Sequence, residues 1–378
     1  MNYDVVIAGG SVAGLFCARE IARNGHSVLV LEEDYEIGTP EHCGGLVSLS
    51  ALEELGIIPH SKTFEHLINS AQVFAPNGDS FIIDSKKQKV AEVNRRELDK
   101  QIAHQAQKNG ADIKVKTSFQ ELTEEGVRTS DGDIKCKIVV DARGVSSLIN
   151  KDRDGILLSA QYEIYSDWIK KDKVEVYFDQ EKYPGFFAWI IPSNDGMGKV
   201  GVAGRGIRAA QVLEEFLSKK GKFSIIRKIF APIWIKGPID NFVSDRLVII
   251  GDAAGQSKPT TAGGIFSCGF AGILAGQAIA KYLETGKKSE LKEYQKKWKE
   301  KFEKEFEKQL FARKLLERLD NQTINKLFES ITPEITKEIS ENDDFDFHTG
   351  SIIKLLGIKR SIKTAQTLIG SEIKKLLS

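Results

Sequence analysis

An apolar stretch near the start of the chain runs into Gly9-Gly10-Ser11-Val12-Ala13-Gly14, which keeps the first and third glycines of G-x-G-x-x-G with Ser11 between them. That pattern binds pyrophosphate. Gly9 permits the tight turn, Gly14 lets a helix pack closely on the strand, and the first N–H groups of the helix, Ala13 included, face the anion. The Ser11 hydroxyl adds a donor to phosphate. Glu32, 18 residues past Gly14, ends the next apolar stretch, where a carboxylate accepts hydrogen bonds from an adenosine ribose. Glu33 and Asp34 follow it, so the competing assignment for Glu32 is a solvated surface acid.

The thiols and imidazoles offer less. Cys17, Cys43, Cys136 and Cys268 lie far apart with no CxxC pair, which speaks against zinc and a disulfide framework and for a reducing compartment. His42 and Cys43 are neighbours, and neighbours on extended backbone point apart, so they make a poor nucleophile pair. His26, His60, His66, His104 and His348 have no metal-ligand spacing; they are expected in turns or on helix surfaces, and no metal is expected.

A pyrophosphate turn requires a β-α-β unit. The pattern supplies one: apolar Tyr3 to Ala8, an alanine-rich helix from about Gly14 to Arg23, the stop Asn24-Gly25, and Ser27 to Leu31. A helix from Arg95 to Asn109 leads to short strands at Asp112 to Lys116 and Lys137 to Asp141. Arg246 to Ile250 is another apolar strand, followed by Gly251-Asp252 and a long helix from near Gly263. From about Gly155 to Gly204, alternating strands such as Lys173 to Phe178 and Phe187 to Ile191 predict an antiparallel sheet. Beyond Ser289, Leu291, Tyr294, Trp298, Phe302, Phe306 and Leu310 form one apolar stripe along a long helix, and the remainder reads as a helical appendage.

Three further motifs keep a definite order. Arg95-Arg96-Glu97-Leu98-Asp99 opens a helix, Asp141-Ala142-Arg143-Gly144-Val145-Ser146-Ser147 follows a strand, and Gly251-Asp252-Ala253-Ala254 precedes Pro259 and Gly263-Gly264-Ile265. Together they resemble the p-hydroxybenzoate-hydroxylase-like group of FAD proteins over about the first 285 residues. The resemblance implies that Arg95 reaches the cofactor near its pyrophosphate, Asp252 hydrogen-bonds the ribityl chain, and the glycine-rich helix start lies beneath the flavin. Capping of the following helix is the alternative role for Asp252. Arg143 departs from the Asp common in that group, which puts one contact in doubt.

A narrower resemblance rests on two segments. Glu41-His42-Cys43-Gly44-Gly45-Leu46-Val47-Ser48 looks like the cysteine-glycine segment of archaeal-type geranylgeranyl reductases, and Tyr183-Pro184-Gly185-Phe186-Phe187-Ala188-Trp189-Ile190-Ile191-Pro192 looks like their Pro-Gly-x-x-x-Trp-x-x-Pro strand. Val174-Glu175-Val176-Tyr177-Phe178 and Val200-Gly201-Val202-Ala203-Gly204 continue the pattern. The resemblance implies an FAD-dependent oxidoreductase that reduces C=C bonds of geranylgeranyl chains on ether-lipid precursors, by hydride from reduced flavin plus a proton. A flavin hydroxylase or epoxidase of the same fold, or a non-catalytic prenyl-binding escort-like protein, are the alternatives.

An isoprenoid offers nothing polar to hold, so a long apolar slot over the flavin has to orient it. Phe187, Trp189 and Ile191 fall on one strand face, with Phe186, Ala188 and Ile190 on the other; either can line the slot, and a core strand is the bland alternative. Gly44 and Gly45 let the backbone approach the flavin, which puts Cys43 near its reactive face as proton donor, tuning group or packing thiol. The cofactor set is Gly9, Ser11, Ala13, Gly14, Glu32, Glu33, Cys43, Gly44, Gly45, Arg95, Gly251, Asp252, Gly263, Gly264 and Ile265; Cys43, Trp189 and Phe187 are assigned to the reaction. One dinucleotide fold, taken by FAD, leaves electrons to come from a ferredoxin-like carrier or from transient NAD(P)H binding.

The fold class expected is α/β with α+β elements. A Rossmann-like FAD-binding domain at residues 1–70, 90–153 and 240–285 carries an inserted antiparallel-sheet substrate domain at 71–89 and 154–239, and a C-terminal helical region spans 286–378. With 41% hydrophobic and 28% charged residues and a net charge of +1, the 378-residue chain is ordinary for a globular protein, and no nucleic acid partner is expected. The N-terminus enters a strand at once, with no room for an export signal, so a cytoplasmic location is expected. Pro259 to Ala280 carries no charge but is rich in glycine and hydroxyls, which reads as a buried helix rather than a membrane span. Lys281 to Leu319 holds 13 basic and 8 acidic residues, net +5, and Ser351 to Ser378 holds 6 and 1, again +5. A cationic tail of that kind suits peripheral contact with anionic lipid, and solvated Lys/Glu faces are the alternative.

Overall fold

The computed structural model describes residues 2–84, 88–149, 152–342 and 344–348. The chain begins with β1 (Asn2–Ala8), α1 (Val12–Arg23) and β2 (Val28–Leu31). An excursion follows through β3 (Leu46–Ser48), α2 (Leu49–Glu54), β4 (Phe64–Ile68), β5 (Ser70–Phe74), β6 (Ser80–Asp84) and β7 (Val90–Val93). The chain returns by α3 (Arg95–Lys108) to β8 (Asp112–Lys114), β9 (Phe119–Leu122), β10 (Gly126–Thr129) and β11 (Gly132–Asp141). After α4 (Ser146–Ile149) come β12 (Ile156–Tyr165), β13 (Lys173–Tyr177), β14 (Ala188–Asn194), β15 (Met197–Gly204), α5 (Ala209–Ser218) and β16 (Ser224–Trp234). Then β17 (Val243–Ser244) and β18 (Leu247–Ile249) lead to α6 (Ile265–Thr285), α7 (Ser289–Leu316), α8 (Asn321–Glu329) and α9 (Pro333–Asn342).

The first sheet has the order β17-β18-β11-β1-β2-β8, with β1 parallel to both β2 and β11. Its central strand is apolar on both sides because both faces are covered. Val5 and Ile7 pack with α1, α3 and α6, whereas Val6 packs with Val127 of β10 and Ile134 of β11. Helix α6 is long and apolar enough to cross a membrane, yet 67% of its apolar window is buried inside the molecule. Its small residues explain why: a Cβ at Gly272 would overlap the Ala13 carbonyl, and one at Gly276 would lie 2.7 Å from the Cys17 carbonyl, so α6 packs directly on the α1 backbone.

The second sheet has the order β16-β12-β15-β14-β13-β5-β6 and is antiparallel except for the parallel pair β13–β5. One face buries Tyr162, Ile190, Val200 and Val202 against Leu213 and Phe216 of α5. The other face packs Val174 and Ile191 against Ile68 and Val90 of a small third sheet, β3-β7-β4. Helix α7 packs into the first sheet's core. Leu291, Tyr294, Trp298, Phe302 and Phe306 belong to the core of the first sheet, Trp298 lies 5.4 Å from the Phe242 ring, and the Tyr294 hydroxyl donates to the Ile249 carbonyl at 2.9 Å. Burying each such side chain stabilises by roughly 1.5–3 kcal/mol. Helices α8 and α9 close on β6, where Phe328 and Phe81 rings meet at 5.1 Å and Ser340 Oγ accepts from Asp84 N at 3.0 Å. The segment Ser351 to Ser378 lies outside the described residues.

Candidate active site

At the end of β1 the chain turns at Gly9, whose φ of 111° favours glycine, and a Cβ there would overlap the Ala142 carbonyl. A Cβ at Gly14 would overlap the Gly9 carbonyl, so helix and strand meet backbone to backbone. The Leu15 N–H is bonded to the Ser11 carbonyl at 2.9 Å. The Val12, Ala13 and Gly14 N–H groups ahead of it have no partner inside the helix, and Val12 and Ala13 border the cavity. Glu32 is no solvated acid: it is half-buried, accepting from Gly10 N at 2.8 Å and Asp34 N at 3.0 Å, while Glu33 beside it is exposed. Burial raises its carboxyl above the ordinary value, and the two N–H donors pull the other way.

The Ser11 hydroxyl differs from expectation. It donates to Asp99 Oδ2 at 3.1 Å and accepts from Arg95 Nη2 at 3.2 Å, so its one proton serves the protein rather than a phosphate. Arg95, the first residue of α3, pairs with Asp99 one turn on at 3.1 Å and lies beside the Cys43 thiol. Arg143 turns back on Asp141 at 2.9 Å and stacks on Phe119, while its side chain still borders the cavity. Asp252 sits in the helical turn Gly251–Ala254 and caps no following helix, since the N-cap of α6 is Gly264, with no side-chain cap. Its Oδ1 accepts from the Cys268 thiol at 3.5 Å, and burial raises its carboxyl. A Cβ at Gly264 would stand 3.1 Å from Cys268 Sγ, so glycine lets the start of α6 approach this acid.

The Cys43 loop joins the two sheets. A Cβ at Gly44 would lie 2.5 Å from Ile191 Cδ1 of β14, and Gly45 has a φ of 84°. Gly45 N donates to Cys43 Sγ at 3.4 Å. Gln161 of β12 donates through Nε2 to the Cys43 carbonyl at 3.4 Å and accepts at Oε1 from Trp189 Nε1 at 3.0 Å. The indole lies against Gly201, where a Cβ would overlap it. Trp189 is thus tied to the loop that carries Cys43.

Beneath the loop is a buried ionic cluster. Lys199 Nζ, 6% exposed, donates to Glu41 Oε1 at 2.6 Å and Glu92 Oε1 at 2.9 Å. Burial opposes the ammonium charge, but the two carboxylates overcome it and hold the pKa above its ordinary value. Glu92 Oε2 is buried without a partner. Burial lifts the Glu92 carboxyl to about 7 from 4.5, against the pull of Lys199. Its folded pKa is the higher one, so its contribution to stability is complete below about pH 4.5 and is lost as pH rises to about 7. Glu92→Gln is expected to flatten that part of the stability curve, as measured by urea unfolding at a series of pH values; an unchanged slope would refute the assignment.

A cavity of about 1000 Å³ runs from the Gly9 turn past Cys43 and Asp252 to an apolar end. Phe187, Trp189 and Ile191 line it, whereas Ala188 and Ile190 face α5. Phe186, assigned from strand alternation to the face opposite Phe187, also lines the cavity. It precedes the strand and stacks on Phe187 at 4.1 Å, with Gly185 at a φ of 72° making the bend. The far wall comes from Val73 and Phe81 of β5 and β6 and from Ile324, Leu327 and Phe328 of α8. One histidine departs from expectation: His66 lies on strand β4. His348 sits in a turn and borders the cavity, with Nε2 at 2.9 Å from Thr260 Oγ1. Burial, reinforced by the charge of Lys258, lowers the His348 pKa to about 3, so the ring is neutral. The sequence reading missed Gln161, Lys199, Glu41, Glu92 and His348. Glu92 and Lys199 each interrupt an otherwise uncharged strand, Val90-Ala91-Glu92-Val93 and Met197-Gly198-Lys199-Val200-Gly201-Val202, and that interruption is the signal of a buried pair.

A family model described as lycopene cyclase protein matches residues 4–161. The digeranylgeranylglycerophospholipid reductase of Methanocaldococcus jannaschii is 32% identical, the match covering 78% of this chain and 81% of the relative. Digeranylgeranylglycerophospholipid reductase 2 of Methanothermobacter thermautotrophicus is 33% identical over 76% and 80% of the two chains. Among solved structures, a geranylgeranyl bacteriochlorophyll reductase-like protein of Thermoplasma acidophilum superposes with a TM-score of 0.86 at 24% identity, covering 97% of this chain and 99% of that one. A flavin-dependent brominase has a TM-score of 0.67 at 17% identity, covering 96% and 100%. The fold, with its Rossmann-like sheet, glycine turn and second antiparallel sheet, is that of the flavoproteins. Within that class, the chain belongs to the digeranylgeranylglycerophospholipid reductase family.

Proposed function

We propose that this protein is an FAD-dependent oxidoreductase that reduces C=C bonds of geranylgeranyl chains on glycerophospholipid precursors. The observation that carries the reading is one continuous cavity with a nucleotide turn at one end and an aromatic, aliphatic end at the other. FAD fits the polar end: unpaired helix N–H groups await a pyrophosphate, and Glu32 turns a carboxylate towards the cavity at the place of a ribose. In this reading Gly9, Ala13, Gly14 and Arg95 hold the pyrophosphate region, Glu32 and Glu33 the ribose, Asp252 and Gly251 the ribityl chain, and Gly263, Gly264 and Ile265 the flavin end. Ser11 acts by positioning Arg95 and Asp99. When bound, reduced FAD supplies the hydride.

The chain's own residues then have to exclude water, orient the alkene and deliver a proton. Phe187 and Trp189 give the chain shape and no polar partner, which holds an isoprenoid by burial alone. In this reading Cys43, beside Arg95 at the junction of the two ends, serves as the proton donor, and Gln161 fixes its loop against Trp189. The domain organisation proposed is a nucleotide-binding body at 1–70, 90–153 and 240–285, a substrate body at 71–89 and 154–239, and helices from 286 that close the cavity. A ferredoxin-like carrier or NAD(P)H supplies electrons, and the protein works in the cytoplasm at the membrane face, where its lipid lies.

The test is anaerobic incubation of the reduced, FAD-loaded protein with a geranylgeranyl glycerophospholipid, read by mass spectrometry. Products gained in steps of two hydrogens are expected; oxygen insertion under air, or an unchanged lipid, would refute the reading. Glu32→Ala and Asp252→Ala are each expected to weaken FAD binding by about 1.5–3 kcal/mol through lost charge-assisted hydrogen bonds. Flavin per chain and the dissociation constant measure this, and full occupancy with unchanged affinity would remove both residues from the cofactor set.

A further inference from the structure

Nine large apolar side chains are exposed among the described residues, and five of them, Leu158, Tyr165, Ile225, Ile226 and Phe230, belong to the single strand pair β12–β16. Apolar exposure concentrated in one patch marks an interaction surface; scattered singly it does not. Strand β16 pairs with β12 along one side and is the edge of its sheet, where native chains usually place charge. Leu158 and Ala160 lie opposite Pro232 and Phe230, so Leu158 and Phe230 project from the same face. Ile225, 42% exposed and opposite Ile164, lies on that face as well and, with Ile226 (44%) in the adjoining bulge, extends the apolar edge to the start of the strand, whereas Tyr165, opposite Ser224, projects from the other face.

Charge says what covers it. Residues 219–236 hold six basic residues, Lys219, Lys220, Lys222, Arg227, Lys228 and Lys236, and no acidic one. Four are matched from neighbouring elements: Lys220 by Glu175, Arg227 by Glu163, Lys228 by Glu214 and Lys236 by Asp152. Lys219 and Lys222 are exposed and supply the surplus beside Ile225 and Ile226. A second copy of the chain would bring the same cations against these. Apolar tips ringed by lysine are complementary to the headgroup boundary of an anionic bilayer. On the opposite face of the same strand Ile229, Ala231 and Ile233 wall the cavity, and Phe230 and Pro232 border it from the patch itself, so this edge is where a prenyl chain leaving the bilayer would meet the cavity.

We propose that the β12–β16 edge docks on an anionic lipid bilayer and that the cavity is loaded through it. The loading step rests on the prenyl-chain reading of the cavity; the docking does not. The FAD-loaded full chain is floated with vesicles of phosphatidylcholine alone and of phosphatidylcholine with about 30% phosphatidylglycerol. Binding to the anionic vesicles only is expected, weakened by salt, and Ile225→Glu/Ile226→Glu should lower it by at least about tenfold. Melting temperature and flavin content verify the fold, and Lys222→Glu, at an exposed position, provides the test should the double variant unfold. The variants should reduce detergent-dispersed lipid at the parental rate and vesicle-embedded lipid more slowly. Parental binding by both variants, equal binding of both vesicle types, no binding to either, or self-association abolished by the substitutions would overturn the proposal. Failure to reduce dispersed lipid would refute the reductase reading instead and leave the docking result to stand or fall on flotation.

Discussion

Lys199→Met is expected to destabilise the protein by about 3–5 kcal/mol, because it strands the carboxylates of Glu41 and Glu92 away from water. Glu41 is 4% and Glu92 1% exposed at their side chains, and after the substitution the nearest remaining cation is Arg227, 3.5 Å from Glu41 Oε2. Glu92 takes up a proton near neutrality, which softens the penalty in acid. The loss should therefore be larger at about pH 8 than at about pH 5. Adding Glu41→Gln should recover part of it, since a neutral amide needs no counter-ion. Urea unfolding of the single and double variants at both pH values measures this, and a single variant within about 0.5 kcal/mol of the parent would show that the cluster is not the ionic anchor described. Glu41 and Gly45 flank Cys43, so displacement of this anchor should also slow alkene reduction while FAD stays bound.

The second large effect is at Trp189. Trp189→Ala removes a ring that lies on Gly201 and borders the cavity, at about 3–5 kcal/mol of stability. Trp189→Phe keeps most of the volume and loses the hydrogen bond to Gln161, leaving Oε1 of a buried amide without its donor. Gln161 also holds the Cys43 carbonyl, so the milder variant should change the rate of reduction, or which double bonds are reduced, with the melting temperature and flavin content nearly retained. Single-turnover reduction read by mass spectrometry decides. The parental rate with the parental product pattern would return Trp189 to a packing role.

The local features were legible because they depend on neighbours in sequence. The glycine spacing from Gly9 to Gly14, the apolar run Val5 to Ala8 of β1 and the stripe from Leu291 to Phe306 each report a backbone need or a buried face, and residues close in the chain suffice to show it. The resemblance in the Cys43 and Trp189 segments likewise needed only short motifs in order. Periodicity reports that a residue is buried, never against what. Lys199 meets Glu41 across 158 residues and Glu92 across 107, and only the packing of the small third sheet beneath the Cys43 loop brings them together. Alternation left two faces of β14 equivalent; α5 took Ile190, the cavity took Trp189, and a bend at Gly185 moved Phe186 to the cavity side against the strand rule. The stripe on α7 showed a buried helix but not its partner, and the first sheet's core supplied it. Sheet order made β16 an edge, which turned an ordinary-looking apolar and basic segment into an exposed one. Each of these outcomes is set by which distant surfaces close on one another, a choice made by shape and desolvation over the whole chain and carried by no single stretch of it.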